Sequence, residues 1–129
     1  MPAFRAIPEA VQRLILEKIE SISELETLLL LHGDPTRPWT GERLSTELRI
    51  DPRWASAHLK LLRDRGLLET IGEDGAYRFH AATAELATAV DALAVCYAQR
   101  RVAVISLIYS RPGDRIRILA DAFRLRKET

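Results

Sequence analysis

The stretch Asp51–Leu68, DPRWASAHLKLLRDRGLL, reads as one short helix with both ends written into the sequence. Asp51 can accept from the first free amides, and Pro52 suits the first turn, where no amide donor is required. Gly66 can adopt the left-handed conformation that closes a helix, after which Leu67-Leu68 opens a β-prone run. Between these ends Ala55, His58, Leu59 and Leu62 recur at helical spacing and form a narrow inward stripe. Arg53, Ser56, Ala57, Lys60, Arg63 and Asp64 fall on the other side, which is basic and carries small residues near its start. Such a face suits a helix that must enter a groove.

The residues before this helix supply a second, shorter one. Thr40 is a plausible N-cap for Gly41–Leu48, whose inward residues are Leu44 and Leu48, and Arg49-Ile50 makes the turn. A short helix, a tight turn and a second helix opening Asp-Pro are in helix-turn-helix order. On the other side, Leu67–Ile71 and Ala76–His80 flank Gly72-Glu73-Asp74-Gly75 and read as a hairpin. Two strands are marginal alone, so Tyr77 and Phe79 are expected to pack one face onto the helices. Trp39 is expected to staple its loop to the domain, and Trp54 to pack over the helix pair towards the Leu61 side, the alternative being that it protrudes and crowds the groove.

The flanks read as helical. Pro8 to about Glu20 forms a first helix with Val11, Leu14, Ile15 and Ile19 on one face. Ser21-Ile22-Ser23-Glu24 is a capping box that favours a bend and a new helix through about His32. One continuous helix is the alternative, because Ile22, Leu25, Leu28 and Leu29 continue the spacing. Leu28–Leu31 is apolar on more than one side, and Gly33-Asp34-Pro35 stops the helix. Ala81 to about Ser110 is expected to be a single long helix, with Leu86, Val90, Leu93 and Tyr97 as a coiled-coil-like seam. Within it Val102–Tyr109 is rich in β-branched residues, and a buried strand is the rival reading. Arg111–Asp114 breaks the chain, and Arg115–Lys127 reads as a basic helix packed through Leu119, Ala122 and Phe123. The expected organisation is a helical extension over 1–20, a helix-turn-helix domain over 21–80 and a helical dimerisation region over 81–129. The fold class is mainly α with a small β-hairpin.

The chain has 129 residues, the size of one domain or of a small domain with helical extensions. Its 47% hydrophobic content allows a real core, and 29% charged residues suit a soluble protein. The net charge of +1 carries no nucleic-acid signal; the distribution is more informative, being acidic early and basic late. Eight acidic residues stand against four basic ones between Glu9 and Glu47, and eight basic against three acidic from Arg100 onward. A single cysteine, Cys96, excludes an internal disulfide and a multi-cysteine zinc site. The first residues lack the apolar core of a signal peptide, and no apolar run approaches the about 20 residues that span a bilayer. A cytoplasmic protein that does not bind membranes is expected.

No nucleophile, base and orienting group recur at a recognisable spacing, and no glycine-rich phosphate loop is present, so no catalytic residues and no enzyme activity are expected. The three histidines and Cys96 lack metal-ligand spacing, so neither metal nor cofactor is expected. His58 is expected to be a half-buried structural residue. Cys96 is expected to be a small buried apolar residue, although Arg100, four residues on, could favour its thiolate.

At Ser56-Ala57-His58-Leu59-Lys60-Leu61-Leu62-Arg63, followed by Gly66-Leu67-Leu68, the sequence resembles the ArsR- and MarR-type winged-helix regulators of bacteria. The resemblance covers Ser21 to about His80. The flanking segments resemble those of a subgroup with helical N- and C-terminal extensions, which implies no particular activity. The resemblance implies a winged helix-turn-helix domain that binds double-stranded DNA and regulates transcription, with helix 51–65 in the major groove. Carried over by position, Arg53, Ser56, Ala57 and Lys60 would face the groove, and Thr40 a phosphate. Arg63 continues the basic stripe, and Arg78 is the hairpin's cation beside an acidic tip, Glu73-Asp74. The cysteine pair of the ArsR metal sensors has no counterpart here. A homodimer through helix 81–110 is expected, since many DNA readers are two-fold, the alternative being that the Leu86–Tyr97 seam is the lid on this chain's own core. A cavity beside the long helix could hold a small effector, but no residue identifies one. Winged helices also serve as protein-interaction modules, and the near-zero net charge and acidic tip suit that alternative.

Overall fold

The computed structural model describes residues 7–73, 75–110 and 120. Its described elements are α1 (Glu9–Lys18), α2 (Ile22–Gly33), α3 (Gly41–Leu48), α4 (Pro52–Asp64), β1 (Leu68–Ile71), β2 (Ala76–Phe79), α5 (Ala84–Gln99) and α6 (Arg101–Ile108). The protein is therefore mainly helical with a small antiparallel two-stranded sheet. The chain divides into two compact units, one spanning Ser23–Ala87 and one drawn from the segments on either side of it. None of the described helices is long and apolar enough to cross a membrane.

The bend at the serines is real. Ile19 leaves the helical region at φ −125°, and α2 starts again at Ile22. Val11, Leu14 and Ile15 are the buried face of α1, flanked by buried Ile7 and Ile19. Glu9 in the first turn and Lys18 in the last turn complement the helix dipole. In the same unit α1 packs against α6, whose buried residues are Val104, Leu107 and Ile108.

The single helix expected over 81–110 is two helices. At Arg100 the backbone turns to φ −135°, ψ 50°, while its amide still bonds the Cys96 carbonyl at 2.7 Å. The Arg100 carbonyl then accepts from Val104, so one residue closes α5 and opens α6. Arg101 crosses the break to stand 5.1 Å from the Tyr97 ring, a cation–π contact between the two helices. Val102–Ile108 is helical despite its β-branched residues, which removes the strand reading. The expected helix Arg115–Lys127 lies outside the described residues.

In the Ser23–Ala87 unit, α3 packs on α4 and α4 on β1. Leu25, Leu28, Leu31, Leu44, Ala55, Leu59, Leu62 and Leu67 are fully buried and form the core, and full burial of such a leucine is worth about 1.5–3 kcal/mol. The hairpin pairs Leu68 with Phe79, Glu69 with Arg78, Thr70 with Tyr77 and Ile71 with Ala76. Gly72 and Gly75 both sit at positive φ, 64° and 69°, as the tight connection demands. Phe79 meets the His32 ring edge-on at 5.1 Å, which holds the hairpin to α2. Trp39 exchanges two backbone hydrogen bonds of 2.7 Å with Tyr77, so the loop before α3 adds a one-residue bridge to the sheet. The expected stapling role of Trp39 is thus met by its backbone as well as its buried ring.

Candidate functional site

The candidate site is the outward side of α4 with its neighbours. Asp51 caps the helix as its sequence suggests, accepting from the Arg53 amide at 2.8 Å. At the far end Gly66 takes φ 83°, and the amides of Gly66 and Leu67 return to the carbonyls of Arg63 and Leu62. Thr40 caps α3 by accepting from the Arg43 amide at 3.2 Å. The turn between the helices rests on Arg49 at φ 56°, ψ 48°, a left-handed position usually given to glycine or asparagine. It is locked by Ser45, whose hydroxyl donates to the Ile50 carbonyl at 2.6 Å and whose carbonyl accepts from the Ile50 amide.

The inward side of α4 is fixed by Ala55, Leu59 and Leu62, all buried. His58 is half-buried as expected, and its Nε2 lies 2.8 Å from Ser23 Oγ. Burial pushes its pKa down, with Glu24 opposing. Arg65 reaches Glu24, itself buried, at 2.6 Å. These two side-chain pairs tie α4 and its C-terminus to the start of α2.

The expected contact residues fare differently. Arg53 is exposed, but its guanidinium folds back on Asp51 at 3.2–3.3 Å and holds that carboxyl below the usual carboxylate range, helped by the Arg53 amide. Arg63 pairs with Asp64 at 2.7 Å, which raises the arginine's pKa. Arg78 pairs across the strands with Glu69. Ser56 is exposed but sits where α4 meets α3, against Gly41, where an added Cβ would come within 2.0 Å of its hydroxyl. Ala57 and Lys60 lie on the open face, and Lys60 has no acidic partner among the described residues.

Trp54 takes the alternative course and protrudes. Instead of packing over the helix pair it stands 64% exposed, because the inward positions of α4 are already filled by Ala55, His58, Leu59 and Leu62. The open face therefore carries Arg53, Trp54, Ala57 and Lys60 together.

Two residues that sequence reasoning passed over lie beside it. The guanidinium carbons of Arg37 and Arg43 stand 4.9 and 5.5 Å from the centroid of the Trp39 ring. Both side chains are exposed, and neither pairs with a carboxylate among the described residues. Their separation in the sequence, on either side of a tryptophan in a loop, gives no periodic signal.

Cys96 is buried, and burial pushes its thiol pKa up, with Arg100 only partly opposing. That is the opposite of what a thiolate sensor needs. Among the described residues no group of three or more histidine, cysteine or acidic side chains could hold a metal ion. Comparison of the chain with protein-family models, with curated proteins and with solved structures finds no match.

Proposed function

We propose that the segment from Ser21 to His80 is a winged helix-turn-helix domain that binds double-stranded DNA and serves as a transcriptional regulator, with α4 entering the major groove. The observation that carries this reading is the order of parts around α4. A capped short helix, a locked turn and a capped second helix lead directly into a hairpin pinned to α2 and to the loop before α3. α4 keeps one face open, and that face bears Arg53, Ala57 and Lys60. Arginine and lysine supply hydrogen bonds to guanine edges, and alanine suits the thymine methyl. Backbone contacts supply most of the affinity. Arg53, Arg63, Arg78 and Thr40 are each engaged within the chain and must give up that partner to contact DNA, whereas Lys60 is directly available. Homodimerisation through the α5–α6 segment belongs to the same reading.

The test is binding of random-sequence duplex at low salt, comparing wild type with Arg53→Ala/Lys60→Ala. The double variant should lose about tenfold or more in affinity, on the scale of two phosphate or base contacts. Equal binding by both proteins removes α4 from the interface.

A second reading has its own support. Trp54 is exposed, aromatic side chains are enriched at protein interfaces, and eleven acidic residues outnumber eight basic ones between Ser23 and Ala87. In that case the same face docks a protein partner, and the wild-type protein shows no salt-dependent retention of duplex.

A further inference from the structure

We propose that Arg37 and Arg43, set against Trp39, form a clamp for a phosphodiester of the duplex backbone. The proposal rests on the DNA-binding reading above and adds a contact that the α4 face does not supply. Its basis is a pair of like charges gathered on one fixed ring. The Trp39 ring is 2% exposed, and its backbone is bonded to Tyr77 in both directions. Both guanidinium carbons lie within 6 Å of the ring centroid, at 4.9 and 5.5 Å. Stacking on a buried ring limits the conformers of two long side chains, so less freedom is lost when a ligand arrives.

Two guanidinium groups set against one ring can share one anion, which would offset the repulsion between them. The other arginines of the candidate site already have one, because Asp51, Asp64 and Glu69 neutralise Arg53, Arg63 and Arg78. Among the described residues, Arg37 and Arg43 are the stacked pair left for an external anion. A guanidinium presents a planar fork of N–H donors, which matches two non-bridging phosphate oxygens. The first turn of α3 adds a weaker favourable field, since its helix begins between the two arginines in sequence.

The surface beside Arg43 is of mixed charge. Glu42 and Glu47 line a shallow depression with Thr40, Arg43 and Thr46. A nucleic-acid backbone, rather than free phosphate or a phosphorylated side chain, is the ligand because α3, which carries Arg43, packs on the α4 that the DNA-binding reading sets in the groove.

The test is the salt dependence of duplex binding by the full chain, read by fluorescence anisotropy, for wild type, Arg37→Gln/Arg43→Gln, Arg37→Lys/Arg43→Lys and Arg53→Ala/Lys60→Ala. Each neutralised phosphate contributes about 0.9 to the slope of log affinity against log salt. The glutamine pair should lower that slope by about 0.9, for the one phosphate the clamp holds, and the affinity by at least about tenfold at low salt. The lysine pair should keep most of the slope, since it keeps the charge, yet bind more weakly through loss of the fork. Matching thermal melts for the variants exclude loss of fold as the cause. A slope unchanged in the glutamine pair but lowered in the α4 variant overturns the clamp and leaves the DNA reading standing. A wild-type protein with no salt-dependent binding overturns both. Inorganic phosphate that competes as well as a short single-stranded oligonucleotide, at equal phosphate concentration, overturns the preference for a diester.

Discussion

Gly41 shows how a single residue can matter through its lack of a side chain. A Cβ there would stand 2.0 Å from Ser56 Oγ, 3.1 Å from Ser56 Cβ and 3.3 Å from Ser56 Cα. The hydroxyl could rotate away, but the Cα and Cβ of α4 can move only if the helix crossing opens. Gly41→Ala should therefore destabilise the protein by about 1–3 kcal/mol, the range for overpacking a fitted contact. This holds although alanine favours a helix over glycine by about 1 kcal/mol. Adding Ser56→Ala removes the worst contact and should restore part of the loss, as a urea midpoint measured for both variants would show. A Gly41→Ala protein as stable as wild type would mean that the crossing tolerates a methyl group. Ser56, which the sequence pattern assigns to the groove-facing side, thus has a packing role that no pattern on its own helix announces.

At the scale of elements, α4 is held by apolar burial on one side and by two polar ties to the start of α2. Of these the His58–Ser23 contact responds to pH. Burial lowers the His58 pKa below its unfolded value of about 6.5, so the unfolded chain takes up a proton first as pH falls. The contribution of this group to stability is fully present above the unfolded pKa and is lost as pH drops from there through the folded value. His58→Gln should flatten the stability profile between about pH 7 and pH 5, measured by chemical denaturation at each pH. Profiles that stay parallel would assign the pH response to other groups. The ends of α3 and α4 were legible because Thr40, Asp51, Pro52 and Gly66 act within a turn of where they stand. What was illegible depends on distance or on competition between neighbours. The pairing of Trp39 with Tyr77 spans 38 residues of sequence and leaves no local mark. The basic stripe looked free because spacing counts cations, whereas Asp51, Asp64 and Glu69 cancel three of them. The break at Arg100 carries neither glycine nor proline, so periodicity ran straight through it.

For the whole molecule, the proposed homodimer needs a surface that joins two copies. Val90 and Leu93, the centre of the Leu86–Tyr97 seam, are already fully buried within one chain, so that seam cannot also serve a partner. The large apolar side chains left exposed on α5 and α6 are Val95, Val102 and Tyr109, at 56%, 77% and 70%. Val102, Ser106 and Tyr109 follow the spacing of one helical face. An interface of ordinary size covers about 800 Å² on each partner, more than three side chains supply, so polar neighbours must contribute and the dimer should be a weak one. Sedimentation equilibrium should show monomer and dimer exchanging in the micromolar range, and Val102→Glu should shift the protein to monomer by placing a charge at the centre of the contact. The same variant should bind duplex more weakly, because a second α4 can no longer reach the next major groove about 34 Å away. A Val102→Glu protein that still dimerises would move the interface to another face, whereas one that is monomeric but binds duplex as tightly as wild type would show that a single copy of α4 suffices.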